Sequence, residues 1–514
     1  MTRILTPEQM REVERAAMSR GALTALQLME NAGQAVVDAM AAKWPHYEAQ
    51  MDQRAPSALV LCGPGKNGGD GFVIARLLAG RGWRVEVLLW GDADKLPPEA
   101  RLNYTRWAEM GAVGPLDPAG HHLDCDVMID ALFGTGLTRP LDRRFEGLLS
   151  DIYDARGGPD PGLCHIVAVD IPSWLSAETG RVMLHRDELA PQVDLTVTFH
   201  AAKTGHYLAD GPDFCGDLVV APIGLAADGP EFSDPVELVQ LSRARLHKDQ
   251  GHKYSHGHAL ILTGHAGHGG AARLAARAAL RVGAGAVTMG CPHVALRELA
   301  APPDALMRRV IESAADLADA LNDQRINALC LGPGMGVERA ADLLPVALQS
   351  RRAVVLDADA LSALAADGAL FSMIHDRCVL TPHEGEFGRL FPDLADRLNP
   401  AFHPDGASKL ALVQEASARC GATVLLKGPD TVIAAPGQPS RINSAPDVPW
   451  LATAGAGDVL SGIITGLLAR RNRPADAAGW GAALHAASAR AFGPGLIADD
   501  LPELIPTVLR EIGA

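Results

Sequence analysis

The residues with the clearest chemical potential lie at 451–462, in the stretch LATAGAGDVLSG. Gly455 and Gly457 precede an apolar run that is compatible with a helix, so several free backbone N–H groups should point at one place. Such a place suits a phosphate group. Asp458 would put a carboxylate beside that phosphate, where it could take a proton during phosphoryl transfer. The competing interpretation is a glycine-rich turn whose aspartate only begins the helix.

A second glycine-rich stretch, GPGKNGGDG at 63–71, lies between a strand predicted over 58–62 and an apolar helix predicted over 72–78. Glycines between a strand and a helix expose backbone amides at the carboxyl edge of a sheet, which suits a nucleotide phosphate. Asn67 and Asp70 are polar groups that a purely structural turn would not need. An ordinary strand-to-helix turn is the alternative.

Polar residues also follow other predicted strands of the first half. Asp130 and Asp170 each end a strand, and Ser173 follows the second of them. Because the carboxyl ends of parallel strands meet at one edge of a sheet, we expect Asn67, Asp130 and Ser173 to share a site. Three oxygen ligands without cysteine or histidine suit a hard cation. For each aspartate taken alone, a helix N-cap is the simpler reading.

The elements that must position these groups alternate along the chain. The first half has six predicted strands, at 58–62, 85–90, 127–129, 165–169, 195–199 and 218–221. Their alternation with helical segments predicts an α/β fold with a mostly parallel, doubly wound sheet. A length of 514 residues predicts two or three domains. The polar, proline-bearing segment at 226–235 indicates the boundary, so we expect domains at 1–225 and 245–514 with a linker at 226–244.

Composition narrows the class of protein. The formal net charge of −15 argues against broad binding to nucleic acid. No apolar run reaches the roughly 20 residues that span a bilayer, and the N-terminus lacks an apolar signal core, so we expect a cytoplasmic protein without membrane association. The eight cysteines show no CxxC pair and read as reduced, buried residues. Six histidines between His247 and His268 lack a familiar metal-ligand spacing, so a metal site there is not favoured.

The motifs of the first half, GPGKNGGDG, DALFGTGL at 130–137 and DIPS at 170–173, resemble the NAD(P)H-hydrate epimerase domain. That resemblance implies a Rossmann-like fold, K⁺ held by Asn67, Asp130 and Ser173, and Asp170 as the candidate acid or base. It further implies a lining for the hydrated nicotinamide nucleotide made of Lys66, Asn67, Gly68, Gly69, Asp70, Gly134, Thr135, Gly136, Leu137, Thr138, Arg139, Pro140 and Asp170. The family usually has asparagine where Lys66 stands and glycine where Trp174 stands.

The second half resembles the ADP/ATP-dependent NAD(P)H-hydrate dehydratases of the ribokinase-like superfamily over roughly 245–510. Besides LATAGAGDVLSG, the similarity rests on HKYSHG, GPGMG, DADAL, PHEGE and KGPDT, in that order. It implies a hydrate site at Ala284, Gly334, His383 and Asp458, and nucleotide contacts from Lys427, Gly428, Pro429, Asp430, Thr431, Gly455 and Gly457. Asp458 would be catalytic, and Mg²⁺ would accompany ADP or ATP. The sequence departs from the usual pattern at Ala454, Ala456 and Glu384.

Together the two resemblances imply a bifunctional isomerase and lyase. One half would interconvert the R and S hydrates of NADH and NADPH (NADHX and NADPHX), and the other would dehydrate the S form at the expense of ADP or ATP. Phosphorylating the hydroxyl first makes it a better leaving group, which explains why a kinase-like site would serve a dehydration. The alternative is a ribokinase-type small-molecule kinase with a non-catalytic binding module in front. The habits of the family suggest a homo-oligomer.

Overall fold

The computed structural model describes residues 2–49, 51, 54–119, 125–155, 164–186, 190–226, 230–399 and 407–514. The chain forms two compact units that are divided between Ser233 and Asp234. This division lies inside the predicted linker, of which 227–229 fall outside the described residues. Within the described ranges, none of the helices combines the length and the hydropathy that a bilayer crossing requires.

The second unit contains residues 234–514 together with Thr2 and Arg3 of the short strand β1 (Thr2–Ile4), which lies at the edge of its sheet. The first unit contains a sheet of seven strands among the described residues, in the spatial order β4-β3-β2-β5-β6-β7-β8. All of its neighbouring strands are parallel. The strands are β2 (Ser57–Cys62), β3 (Arg84–Leu89), β4 (Val113–Pro115), β5 (Val127–Ala131), β6 (His165–Val169), β7 (Leu195–Phe199) and β8 (Asp217–Ala221).

Helices cover both faces of this first sheet. Along β2, Val60 and Cys62 join one buried cluster, whereas Leu59 and Leu61 join another, as expected of a strand buried on both sides. The doubly wound α/β architecture predicted from the alternation is therefore confirmed. The helices of this unit are α1 (Pro7–Ser19), α2 (Ala25–Lys43), α3 (His46–Ala49), α4 (Lys66–Gly80), α5 (Pro98–Ala108), α6 (Phe145–Ala155) and α7 (Gly211–Phe214).

The sheet of the second unit has eleven strands within the described ranges, in the order β1-β9-β18-β17-β16-β15-β14-β13-β10-β11-β12. Its central strands are parallel, whereas β17 is antiparallel to both of its neighbours. The strands after β1 are β9 (Val236–Leu238), β10 (His258–Leu262), β11 (Ala286–Cys291), β12 (Met307–Val310), β13 (Ile326–Leu331), β14 (Ala353–Leu356), β15 (Cys378–Leu380), β16 (Thr423–Leu426), β17 (Asp430–Ala434) and β18 (Ser440–Ser444).

Two helices, at 270–281 and 456–469, pack closely on one face of the second sheet. The second of them begins within the glycine-rich stretch 451–462 and so positions it. A Cβ on Gly462 would lie 2.1 Å from the carbonyl oxygen of Ala275, so the absence of a side chain lets the two backbones approach. The helices of this unit are α8 (Arg243–Leu246), α9 (Gly270–Arg281), α10 (Ala314–Ala320), α11 (Val337–Gln349), α12 (Ala358–Ala366), α13 (Gly368–Phe371), α14 (Glu384–Leu390), α15 (Pro392–Leu398), α16 (Lys409–Cys420), α17 (Ala456–Ala469), α18 (Pro474–Phe492) and α19 (Asp500–Glu511).

Two local expectations differ from the structure. Helix α4 begins at Lys66, six residues before the helix predicted at 72–78, so most of the presumed phosphate loop is helical. Gly68, Gly69 and Gly71 of this helix are buried, and neighbouring atoms leave no room for side chains there. Within the predicted linker, β9 pairs with β18, so residues 236–238 belong to the second sheet. The polar, proline-bearing composition of 226–235 gives no sign that the three residues after it form a strand.

Candidate functional site

The first unit has a cavity of about 470 Å³ at the carboxyl ends of its strands. Eight of the predicted nucleotide-lining residues surround it: Lys66, Asn67, Asp70, Gly134, Thr135, Gly136, Leu137 and Asp170. The remaining walls come mainly from α1 and α2, including Arg11, Glu14 and Met29. The structure therefore brings together groups from three separate sequence motifs, as the shared sheet edge predicted.

Five predicted lining residues are not brought to this cavity. Thr138, Arg139 and Pro140 lie outside its walls. Gly68 and Gly69 are buried in the first turn of α4, where a Cβ on Gly68 would lie 2.0 Å from the carbonyl oxygen of Gly63. These two glycines allow the helix to pack closely, and their amides are not part of an open loop.

Asp170 is held at the cavity wall by two donors. Its Oδ1 accepts hydrogen bonds from Lys203 Nζ and from Thr198 Oγ1, each at 2.7 Å. Its backbone has φ of +70°, an uncommon value for a residue with a side chain. Burial alone would raise the pKa of Asp170, but the Lys203 ammonium and the two hydrogen bonds hold it below its ordinary value. The carboxyl group is therefore ionised at neutral pH.

Lys203 is a functional candidate that the sequence analysis did not single out. Only 1% of its side chain is exposed, and its ammonium also donates to the Phe199 carbonyl oxygen. His206 contacts the backbone oxygen of Asp170 at 2.9 Å through Nε2. The available signal was position, because Lys203 lies just beyond the carboxyl end of the strand predicted at 195–199.

Two further carboxyl groups of this cavity have raised pKa values, in contrast to Asp170. Burial, with the charges of Asp170 and Glu14, raises the pKa of Asp70 well above its ordinary value, and Lys66 only partly opposes this. Burial also raises the pKa of Glu14, again opposed by Lys66. A carboxyl group whose pKa is raised, Asp70, and one whose pKa is lowered, Asp170, thus face the same cavity, which is the arrangement of an acid and a base.

The three predicted cation ligands lie around the segment that follows β5. Asp130 Oδ1 accepts from Ser173 Oγ at 2.5 Å, and Asp130 Oδ2 accepts from the Ser173 backbone N–H at 2.8 Å. Asn67 packs against Gly134, and its buried side-chain nitrogen finds no hydrogen-bond partner among the residues that the structure describes. Burial raises the pKa of Asp130 to about 6, although hydrogen bonds from Ser173 oppose the shift.

Trp174, which replaces a glycine of the family pattern, does not enter the cavity. Its indole is buried with Leu175 in the hydrophobic cluster on one face of the first sheet. It is absent from the residues that line the cavity. The large side chain next to Ser173 therefore leaves the space for a ligand open.

The second unit has a cavity of about 720 Å³ at the carboxyl ends of β14, β15 and β16. Seven predicted site residues line it: His383, Lys427, Gly428, Pro429, Gly455, Gly457 and Asp458. Asp357, Glu384, Glu386 and Ala456 also contribute. The hydrate and nucleotide motifs of the second half therefore face one open space.

Asp458 lies in the first turn of α17, directly at this space. Gly455 caps the helix with φ of +91°, which a glycine adopts at low cost. The free N–H groups of that turn and the carboxylate of Asp458 therefore share one location. Burial raises the pKa of Asp458 to about 6; the charge of Asp357 adds to the shift and Lys427 opposes it.

A buried network stands behind Asp458. Lys427 Nζ donates to Asp357 Oδ1 at 3.0 Å and lies 3.7 Å from a carboxylate oxygen of Glu386. Ser461 Oγ donates to Asp357 Oδ2 at 2.7 Å. Burial would lower the pKa of Lys427, but the charges of Asp357 and Glu386 outweigh it and raise the pKa. Asp357, Glu386 and Ser461 were not chosen from the sequence, since their roles depend on packing between distant elements.

His383 begins α14 and is oriented by that helix. Its Nδ1 accepts from the backbone N–H groups of Gly385 at 3.0 Å and Glu386 at 3.3 Å. Glu386 in turn accepts from the His383 backbone N–H at 2.9 Å. The other ring nitrogen, Nε2, lies 3.5 Å from a carboxylate oxygen of Glu386, and more than half of the His383 side chain is exposed.

Four predicted contacts of the second half lie elsewhere. Ala284 precedes β11 and is buried at the amino end of the sheet, opposite the cavity. Gly334 packs against the carbonyl of His268 outside the cavity wall. Asp430 forms a buried ion pair with Lys409, and Thr431 Oγ1 donates to the Gly428 carbonyl oxygen at 2.7 Å. Asp430 and Thr431 thus directly follow the cavity-lining segment 427–429 without lining the cavity themselves.

Known proteins match both halves of the chain. Residues 25–205 match the family described as YjeF-related protein N-terminus, and residues 259–507 match NAD(P)H-hydrate dehydratase. A bifunctional NAD(P)H-hydrate repair enzyme of Moorella thermoacetica is 34% identical over 99% of this chain and 97% of its own length. The chain belongs to the bifunctional NAD(P)H-hydrate repair enzymes.

Other repair enzymes and their parts show the same relationship. The bifunctional enzyme of Coxiella burnetii is 33% identical over 95% of this chain and 94% of its own. An NAD(P)H-hydrate epimerase of Rhodobacter capsulatus is 44% identical over 44% of this chain and all of its own. A Bacillus subtilis ADP/ATP-dependent NAD(P)H-hydrate dehydratase, co-crystallised with ATP and Mg²⁺, covers 52% of this chain and 95% of its own at 26% identity, with a TM-score of 0.43. The resemblance inferred for both halves is confirmed.

Proposed function

We propose that the two cavities divide the two reactions of this repair family between them. The first interconverts the R and S hydrates of NADH and NADPH, and the second dehydrates the S hydrate with ADP or ATP. The observation that carries this proposal is the placement of Asp458, Lys427 and the first turn of α17 around one space. A carboxylate, an ammonium and free backbone N–H groups are what phosphoryl transfer to a hydroxyl needs.

In the second cavity, Asp458 removes the proton from the substrate hydroxyl as that oxygen takes the phosphoryl group. A pKa of about 6 leaves Asp458 mostly ionised at neutral pH, yet basic enough to accept the proton. The N–H groups at Gly455–Gly457 hold the transferred phosphoryl, and Lys427 remains positively charged beside it. The phosphorylated hydroxyl then leaves more readily than hydroxide.

Mg²⁺ fits this cavity as a companion of the nucleotide. Within the described ranges, no group of three or more His, Cys, Asp or Glu residues is arranged to hold a metal by itself. Asp357 and Glu386 nevertheless offer carboxylate oxygens at the cavity wall, and Mg²⁺ is commonly held by one or two carboxylates together with substrate phosphates. Bound in this way, Mg²⁺ would neutralise phosphate charge.

In the first cavity, Asp170 is the base and Asp70 is the acid. Lys203 and Thr198 keep Asp170 ionised, while burial favours the protonated form of Asp70. Epimerisation needs a proton removed from one position of the hydrate and supplied at another, so this division of roles matches the reaction. Trp174 does not obstruct the cavity, which argues against a silent binding module.

A monovalent cation such as K⁺ fits the group Asn67, Asp130 and Ser173. Asp130 and Ser173 supply oxygen atoms, and the buried Asn67 amide has an unpartnered nitrogen, so its oxygen can turn toward an ion. A cation here would also compensate the buried charge of Asp130. K⁺ should raise the melting temperature of the first unit relative to tetramethylammonium at equal ionic strength. A Ser173→Ala variant should lose that rise; equal responses of both proteins would oppose the assignment.

One assay tests both reactions. Acid-treated NADH or NADPH, which contains both epimers, is incubated with protein, Mg²⁺ and ADP or ATP, and the return of reduced nicotinamide absorbance is followed. We expect Asp458→Asn to slow the return at least about 100-fold. We expect Asp170→Asn to restore only the S fraction, because the R epimer cannot then be converted.

Matched aspartates provide controls for the two variants. Asp376 is exposed in the second unit and Asp213 is exposed in the first, so Asp376→Asn and Asp213→Asn should behave like the parent protein. Stabilisation by ADP and Mg²⁺ in a thermal melt should persist in Asp458→Asn. Near-normal turnover by that variant would refute the role of Asp458, and full recovery of both epimers by Asp170→Asn would refute the role of Asp170.

A further inference from the structure

Two cysteines meet at the amino edge of the first sheet, opposite the cavity. Cys125 lies two residues before β5 and Cys164 lies one residue before β6. The two strands are parallel neighbours, with Val127 paired to His165, and the His165 N–H donates to the Asp126 carbonyl oxygen at 2.9 Å. Neighbouring strands are about 4.8 Å apart, which is within the range of backbone separations that a disulfide bridges.

The sulfur atoms of this pair already face each other. Cys125 Sγ and Cys164 Sγ are 3.3 Å apart. Each of the eight cysteines of the chain is a free thiol, and the separation along the sequence within this pair is 39 residues. We propose that Cys125 and Cys164 form a redox modification site, at which hydrogen peroxide converts the two thiols into a reversible disulfide.

The pair differs chemically from the other cysteines. The hydrogen bond from Cys125 holds the pKa of Cys164 below its ordinary value, although burial and the charges of Asp194 and Asp126 oppose this. The same hydrogen bond and burial raise the pKa of Cys125. Burial raises the pKa of all six other thiols, Cys62, Cys215, Cys291, Cys330, Cys378 and Cys420. The thiolate is the reactive form, so oxidation should select Cys164.

The reaction balances with peroxide as the two-electron oxidant. The Cys164 thiolate attacks one peroxide oxygen, the O–O bond breaks, and hydroxide leaves to become water with the proton that Cys164 had released. The resulting Cys164 sulfenic acid is attacked by the Cys125 sulfur. The S–O bond breaks as the S–S bond forms, and the departing oxygen takes the Cys125 proton and leaves as the second water. Cys125 is partly exposed, and Cys164 beside it is 6% exposed, so the pair borders solvent.

The disulfide would tie together the two strands that support the first cavity. Strand β5 ends near Asp130, and Asp170 directly follows β6, so the cross-link joins the far ends of the elements that carry both aspartates. This inference concerns the thiol pair alone and holds whatever reaction the cavity performs.

The test is made on the full, reduced protein. After treatment with hydrogen peroxide, the protein is denatured and alkylated with N-ethylmaleimide, and its intact mass is measured. We expect the number of alkylated thiols to fall from the eight of the free chain to six, and dithiothreitol to restore all eight. A non-reducing peptide map should show one cross-linked pair that contains Cys125 and Cys164.

Two variants sharpen the result. Cys125→Ser should form no cross-link and should accumulate sulfenic or higher acids at Cys164, whereas Cys215→Ser, which removes a buried thiol of the same unit, should still form it. Eight alkylated thiols after peroxide treatment of the parent protein would overturn the proposal. So would a cross-link to any other cysteine, or irreversible oxidation of Cys164 without a cross-link. The parent protein decides the matter even if a variant fails to fold.

Discussion

Asp170 and Asp458 are the proposed bases of the two cavities, yet their surroundings shift the two pKa values in opposite directions. Lys203 and Thr198 bond directly to Asp170 and lower its pKa. Asp458 instead lies near the carboxylate of Asp357, and burial together with that charge raises its pKa to about 6. The first base should therefore stay ionised across the neutral range, whereas the second titrates close to it.

The titration of Asp458 should be visible in the dehydration rate. The value of kcat/KM, which reports groups of the free enzyme, should fall as the pH drops below about 6, because protonated Asp458 cannot accept the hydroxyl proton. Lys427 lowers the pKa of Asp458, so Lys427→Met should move this acid limb to higher pH. A pH series of initial rates for both proteins checks this. An unchanged limb in Lys427→Met would contradict the electrostatic coupling.

Lys203 should matter for folding as well as for epimer exchange. Lys203→Met leaves the Asp170 carboxylate buried without its cation, which should cost about 3–5 kcal/mol of unfolding free energy. The folded-state pKa of Asp170 is lowered, so its stabilisation is present above the unfolded pKa and is lost in acid. The difference between the two proteins should therefore shrink as the pH falls below about 4, from the unfolded pKa of Asp170 toward its lower folded pKa.

Lys43 provides the comparison for that measurement. It pairs with Asp217, whose side chain is 74% exposed, so Lys43→Met should change stability by less than about 1 kcal/mol. Urea unfolding followed by tryptophan fluorescence measures both variants, since five of the seven tryptophans, at 44, 83, 90, 107 and 174, lie in the first unit. Equal losses for both lysines would show that burial of the Lys203 pair is unimportant.

For single residues, the sequence analysis identified the site candidates that belong to a motif and missed those that are placed by packing between distant segments. Asp458, Lys427, Asp70 and Asp170 each follow a strand or begin a helix, so their positions could be inferred. Lys203 reaches Asp170 across a separation of 33 residues, and Ser461 reaches Asp357 across 104. Neither contact has a sequence spacing that periodicity or motif reasoning detects.

Helix α4 shows what the glycines of a nucleotide motif do at the scale of an element. A Cβ on Gly68 would lie 2.0 Å from a backbone oxygen, whereas Gly80, in the same helix, has open space around it. Gly68→Ala should therefore lower the unfolding free energy by about 1–3 kcal/mol, because the helix must shift. Gly80→Ala should raise it by up to about 1 kcal/mol through helix propensity.

The same urea titration separates the two glycine variants. Both substitutions add one methyl group to one helix, so differences in helix propensity cannot explain opposite signs. If Gly68→Ala were as stable as the parent protein, the close packing of α4 on the segment after β2 would not contribute to the unfolding free energy.

The prediction of strands succeeded where a run of apolar residues was clear in the sequence. The strands predicted at 165–169 and 195–199 have the bounds of β6 and β7. The prediction of helices failed at α4, since glycine has low helix propensity and only tertiary packing shows why the chain is helical there. The fold class followed from alternation alone.

For the whole molecule, the two cavities should work through a freely diffusing intermediate. Asp170→Asn leaves the second cavity intact, and Asp458→Asn leaves the first intact. An equimolar mixture of the two variants should therefore recover both epimers, although neither protein does so alone. The absorbance assay with the mixed epimers measures this. Recovery of only the S fraction by the mixture would show that the R epimer must be converted within the same chain.

The buried pair of Asp170 and Lys203 also limits what comparative sequence data can reveal. Loss of either partner would leave an uncompensated charge inside the first unit, so purifying selection on foldedness alone would preserve both. A lineage that had abandoned epimer exchange would still carry the two residues. The presence of both residues in a sequence therefore indicates that the domain folds. Evidence that the domain is catalytically active must come from positions such as Asp70, which folding does not require.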